Sequence, residues 1–220
     1  MKRGDNLSSK KNGFISVPTE LILDTEIPYK AKYLYIILKK HSFDDDLIIK
    51  YEKLMSLLKW KDKKSFKKYL LILKVNGYIS YEFKKIIELI PLEIKIEFKK
   101  PFIKLDRDII NKALDLSNGE NIYNHEKGLL LLYYLEYNFN EGWGYSCPSF
   151  EEINNILKMD TKRIKEIIWL YHINYICEYT KGYMIGNLKI RNRYVVNNTI
   201  YDSFNDKYKK RYKNHKAKPT

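Results

Sequence analysis

The chain has 220 residues, 45% of them hydrophobic and 31% charged, with a formal net charge of +14. That balance excludes a wholly disordered protein and leaves room for two domains of about 100 residues each. The longest apolar run, Gly128 to Leu135, is far short of the roughly 20 residues that span a bilayer, and Met1-Lys-Arg-Gly-Asp-Asn leads into polar sequence rather than a signal-peptide core. Two cysteines, Cys147 and Cys177, are too few for a disulfide framework, so the expectation is a cytoplasmic protein with free, buried thiols and no membrane association.

Residues 1–13 carry four cations against one acid and read as a polar tail. Phe14-Ile-Ser-Val-Pro18 is a short apolar segment, followed by a brief helix through Leu23 and a longer one from about Pro28 that buries Leu34, Ile37 and Leu38. After an acidic turn at Asp44-Asp45-Asp46, the pattern predicts a helix over Tyr51 to Leu58, a turn at Lys59 to Lys61 and a helix from Asp62 to Val75. Asp62 is placed to cap that helix, and Gly77 to close it in the left-handed region. Tyr78 to Phe83 alternates and is rich in β-formers; with Ile86 to Ile90 and Leu92 to Phe98 it predicts a β-hairpin and a further strand.

The second half repeats this order. Phe102-Ile-Lys-Leu-Asp106 corresponds to Phe14–Pro18, and a long helix from Asn124 to Asn138 follows. Phe150-Glu-Glu-Ile-Asn-Asn-Ile-Leu-Lys-Met159 matches Tyr51-Glu-Lys-Leu-Met-Ser-Leu-Leu-Lys-Trp60, each leading into a cationic helix. Leu170 to Ile176 matches Leu73 to Ile79 with Asn174 in place of Gly77, the second copy being two residues shorter between the blocks. Tyr175 to Tyr179 and Tyr183 to Leu188, around Thr180-Lys-Gly182, predict a second hairpin. The organisation read from this is a tail (1–13), a first module (14–98), a second module (99–190) and a basic tail (191–220). The fold class expected is mainly α with small β-hairpin wings, a tandem winged helix-turn-helix.

Charge then selects candidate contacts. On the helix from Asp62, Phe66, Leu70 and Leu73 share one face and leave Lys63, Lys64, Lys67 and Lys68 outward. With Lys61 and Ser65 they form the main candidate for DNA contact, because the N-terminal half of such a helix enters the major groove. The second module offers Ser149 at a helix start, Lys162, Arg163 and Lys165 beside Glu166, and Lys181 at a hairpin tip. Residues 14–98 hold 16 cations and 12 acids, whereas 99–190 hold 12 of each, so the first module is expected to be the main reader. The second is expected to make a secondary contact or a dimerisation surface. Residues 191–220 hold nine cations and two acids with Tyr201, Tyr208 and Tyr212 between them, a source of salt-sensitive affinity or a solubilising tail.

Gly142-Trp-Gly-Tyr-Ser-Cys-Pro-Ser149, with Phe150 to Leu157 and the helix after Asp160, resembles the helix-turn-helix modules of phage and plasmid replication initiators and related winged-helix regulators. The resemblance covers both modules and neither tail. The first copy departs from it, with Ile49-Lys50 where the second has Pro148-Ser149. It implies sequence-specific binding of double-stranded DNA at repeated sites by a replication initiator or organiser of a plasmid, phage or mobile element. Replication-machinery proteins and a second copy of the chain are then further partners. A transcriptional or partition regulator shares every one of these features. A protein-interaction module with passive lysines is the alternative of another class, while RNA binding lacks the aromatic sheet motif of a common RNA-binding domain. The sequence contains no P-loop, no His-Glu-x-x-His and no Cys-x-x-Cys, and His41, His125, His172 and His215 are scattered, so neither enzymatic activity nor a cofactor or metal is expected. His125-Glu126 reads as a surface pair opening a helix.

Overall fold

The computed structural model describes residues 13–81, 91–97, 99–116, 125–185 and 188–197. Two 13-residue helices occupy its centre: α2 (Tyr29–His41), buried without a break from Ala31 to Leu38, and α6 (His125–Tyr137), buried from Gly128 to Glu136. A helix covered on all sides belongs in the middle of a core, and these two pack against each other. Ahead of them run β1 (Phe14–Pro18) with α1 (Thr19–Leu23), and β5 (Phe102–Asp106) with α5 (Arg107–Asp115). β1 and β5 pair antiparallel with Ser16 opposite Lys104, so the middle residues of the two strands face each other. The Tyr133 hydroxyl donates to the Ile15 carbonyl across the same junction at 3.1 Å. One buried cluster therefore contains residues from both 14–98 and 99–190.

Beyond α2, Asp44 and Asp45 both take positive φ (47° and 70°), the two-residue turn whose twist suits a hairpin, and β2 (Asp46–Ile49) follows. Then come α3 (Tyr51–Leu58), α4 (Lys63–Val75), β3 (Ile79–Tyr81) and β4 (Leu92–Ile96), the strands forming an antiparallel sheet in the order β2-β4-β3. Beyond α6, Asn140 bridges Tyr145 and Ser146 bridges Tyr194. α7 (Phe150–Leu157), α8 (Thr161–Ile173), β6 (Cys177–Thr180), β7 (Met184–Ile185), β8 (Leu188–Lys189) and β9 (Arg193–Val196) complete the chain, with β6 on β9 and β7 on β8. Among the described residues the protein is thus a mixed α/β chain of eight helices and small antiparallel sheets.

Several expectations change. β2 is an addition to the expected elements; its buried Leu47 and Ile49 alternate with exposed neighbours, but the run is only four residues long. The partner of β3 is Leu92–Ile96, and the expected strand at Ile86 to Ile90 lies outside the described residues, as do 1–12 and 198–220. In the second half Met184–Ile185 pairs with Leu188–Lys189 rather than with Tyr175 to Tyr179. β6 instead takes β9, so strand pairing reaches Val196, within the stretch expected to be a basic tail. The left-handed residue after α8 is Tyr175 (φ 56°), while Asn174 (φ −101°) corresponds to Asn76. Both asparagine side chains donate to the carbonyl four residues back, Ile72 and Leu170, at 2.8 Å. Lys59 and Lys158 are the matching left-handed residues after α3 and α7, and two residues separate Lys59 from Asp62 where one separates Lys158 from Asp160. The second copy is therefore one residue shorter, in the turn. Both cysteines are free thiols; Cys177 is buried, which pushes its thiol up to about 12, but Cys147 is only half-buried.

Candidate nucleic-acid interface

Helix α4 starts on Asp62, whose carboxylate accepts from the Lys64 and Ser65 backbone N–H groups. These bonds, with one donated by the Ser65 hydroxyl, hold the Asp62 carboxyl below the usual range. The Ser65 proton is thereby committed to the cap, which leaves its oxygen as an acceptor only. Phe66, Leu70 and Leu73 are fully buried on the core face, and Phe66 meets Tyr51 of α3 edge-on at 5.2 Å. Lys61, Lys63, Lys64, Lys67 and Lys68 are all exposed. The Lys63 ammonium stands over a ring, 5.8 Å from the centre of Tyr51.

Helix α8 has the same construction with fewer exposed cations. Asp160 accepts from the Arg163 N–H at 2.9 Å, and Ile164, Ile167, Ile168 and Tyr171 fill the core face. Lys162 and Lys165 are exposed, Lys165 lying 5.5 Å from the Phe150 ring, whereas Arg163 is half-buried and pairs with Glu166 at 3.1 Å. Ser149 is a cap: its oxygen accepts from the Glu152 N–H at 3.1 Å, and the Glu152 carboxylate accepts in return from the Ser149 N–H. Its hydroxyl is engaged in starting α7.

Lys181 lies at the end of β6 and thus at the base of the following ribbon, not at its tip. The cation nearer the tip is Lys189, which sequence reasoning misses, as it misses the places of Arg191 opposite Gly182 in the stem and of Arg193 in a strand. Arg191 lies 3.8 Å from Glu152, and the Arg193 guanidinium sits 4.8 Å from the centre of the Tyr145 ring. The signal for β9 is present in Arg193-Tyr-Val-Val196, where Tyr194 and Val196 alternate inward.

The turn between α3 and α4 is fastened to the other half of the chain. The Trp60 indole N–H donates to Glu126 at 2.6 Å, and His125 stands edge-on to Tyr33 at 5.3 Å. His125-Glu126 is accordingly not a surface pair: Glu126 is 8% exposed, because the start of the central helix α6 tucks beneath that turn. Burial pushes the Glu126 carboxyl up, while the Trp60 bond and the charges of Lys30 and Lys127 oppose the shift.

On the C-terminal half of α8, Trp169, Ile173 and neighbouring Tyr175 are exposed and line an open cleft of about 570 Å³ with His172, Glu178 and Tyr179. Among the described residues there is no cluster of three metal-ligating side chains and no helix long and apolar enough to cross a membrane. No protein-family model, curated protein or solved structure matches the chain.

Proposed function

We propose that the chain is a tandem winged-helix protein that binds double-stranded DNA and acts as a replication initiator or organiser of a plasmid, phage or other mobile element. The observation that carries this reading is the order helix, strand, helix, helix, strand, strand in the first half, of which the second half repeats the helix pair and the strands after it. In the first half the second helix of the adjacent pair, α4, keeps an apolar face inward and turns lysines outward. In the winged variant of helix-turn-helix that position belongs to the helix that enters the major groove. The replication role follows from the resemblance carried by Gly142 to Ser149 and the helices after it.

The first module is the main reader in this account. Its α4 presents Lys63, Lys64, Lys67 and Lys68, whereas α8 presents two exposed lysines and an arginine already paired with Glu166. Footprinting of the full-length protein on fragments of its own replicon tests the assignment. Protection of repeated sites at an origin supports the replication role, and protection confined to a promoter moves the role to transcriptional or partition control. A second reading, assembly with another protein, is favoured by exposed Trp169, Ile173 and Tyr175. It gains if no fragment is protected and Trp169→Ala abolishes a complex that Lys67→Ala leaves intact.

A further inference from the structure

The ribbon of β7 and β8 carries apolar side chains that its own fold leaves in solvent. Tyr183, Met184, Ile185 and Leu188 are 59%, 60%, 56% and 63% exposed, and a two-stranded ribbon has no core in which to bury them. The stem beneath is tightly built. The Gly182 N–H donates to the Asn192 side chain at 2.9 Å, the Ile190 N–H donates to the Tyr183 carbonyl at 2.8 Å, and the Tyr179 and Tyr194 rings stack 5.5 Å apart. A Cβ at Gly182 would stand 2.2 Å from the Ile190 carbonyl oxygen, so the two chains cross in contact there and only glycine fits.

Charge identifies the occupant. From Tyr179 to Tyr201 the sequence holds Lys181, Lys189, Arg191 and Arg193 and no aspartate or glutamate. In the ladder Met184 lies opposite Lys189, which sets a cation beside the apolar end. An acidic protein surface would engage these cations and leave the apolar end idle; a plain hydrophobic surface would do the reverse. The minor groove uses both, since phosphates line its walls and Met, Ile and Leu side chains enter between base steps, partly unstacking them and kinking the duplex. We propose that this ribbon is a minor-groove wedge, with Met184, Ile185 and Leu188 entering a base step and Lys181 and Lys189 holding the flanking phosphates. This rests on the DNA-binding reading above and adds to it that the second module bends the duplex.

Ligase-mediated ring closure of a mixed-sequence duplex of about 100 base pairs, shorter than the persistence length of about 150 base pairs, tests the wedge. The full-length protein is expected to bind the duplex and to raise the yield of rings on the order of tenfold over naked DNA. The variant Met184→Ser, Ile185→Ser, Leu188→Ser is expected to keep its unfolding midpoint, since the three side chains are exposed, and to bind within about tenfold while its ring yield falls to that of naked DNA. Undiminished ring closure by this variant, or binding without ring closure by the unaltered protein, overturns the wedge and leaves DNA binding standing. No binding to the duplex at low salt overturns both. Sedimentation of the unaltered protein with phosphatidylserine–phosphatidylcholine vesicles, lost in the variant and in the absence of any duplex binding, assigns the tip to a membrane surface instead.

Discussion

Replacing Trp60 by Phe keeps a ring in the turn between α3 and α4 and removes one donor. Glu126, at 8% exposure, is then deprived of the 2.6 Å bond from the indole N–H. A hydrogen bond to a charged group contributes about 1.5–3 kcal/mol, and a buried acceptor left short of a donor costs the same order. Lys30 and Lys127 soften the loss electrostatically, so the coupling between Trp60 and Glu126 is expected at about 2 kcal/mol. Urea denaturation of Trp60→Phe, Glu126→Leu and the double variant isolates it, because the double variant also accounts for the smaller ring. The pH dependence follows from the raised Glu126 carboxyl. Between the ordinary glutamate range and its folded value, the native state holds a proton that the unfolded state has released, so stability falls as pH rises through that window. Removing the Trp60 donor widens the window. The Trp60→Phe penalty is therefore expected to be small near pH 4 and full near pH 7. A coupling below about 0.5 kcal/mol, or one equal at both pH values, would refute the reasoning.

Lys32 is buried in α2, donates to the Ile22 carbonyl at 2.9 Å, and is pulled down to about 8 by desolvation. Between that value and the ordinary lysine range the unfolded state holds the extra proton, so stability relative to Lys32→Met is expected to rise from about pH 8 to about pH 10; thermal unfolding showing a falling or flat difference contradicts this. Tyr175, at φ 56° and 79% exposure, occupies the position of Gly77 at φ 67°. Tyr175→Gly is expected to stabilise and Gly77→Ala to destabilise, each by about 1 kcal/mol in urea melts. Gly182→Ala forces the Ile190 carbonyl away, and hydrogen exchange is expected to report faster exchange at the Ile190 N–H with the amides of α4 unchanged.

Local chemistry was legible in the sequence, and pairing across distance was not. The α4 cap at Asp62, its core face of Phe66, Leu70 and Leu73, and its close at Gly77 all follow from spacing within one helix. The sheets depend on partners that periodicity does not name. Arg193–Val196 pairs with Cys177–Thr180 across an intervening ribbon, and Asp46–Ile49 pairs with Leu92–Ile96 across two helices. A short strand with a remote partner looks like a loop or a tail. Glu126 misleads for the same reason: its neighbours in sequence are His125 and Lys127, while the donor that makes its burial tolerable lies 66 residues away. Among the candidate contacts, lysine spacing placed five cations on the exposed side of α4 and the preceding turn. It could not reveal that the hydroxyls of Ser65 and Ser149 are engaged in helix caps. Tyr175 shows the opposite limit, since an asparagine beside it was the better residue for a left-handed turn and the backbone nevertheless uses the tyrosine.

Whether α4 meets the phosphates and bases of duplex DNA is tested most directly by binding titrations across a range of salt concentrations. The full-length protein is compared with the variant carrying Lys63→Ala, Lys64→Ala, Lys67→Ala and Lys68→Ala, on replicon fragments and on random duplex. Every phosphate that the protein no longer neutralises makes the slope of log K against log salt shallower by about 0.9, so the variant is expected to show a slope shallower by about 3 to 4 and to bind one fragment no better than random duplex. An unchanged slope and an unchanged preference would contradict the account and take the reading helix away from α4.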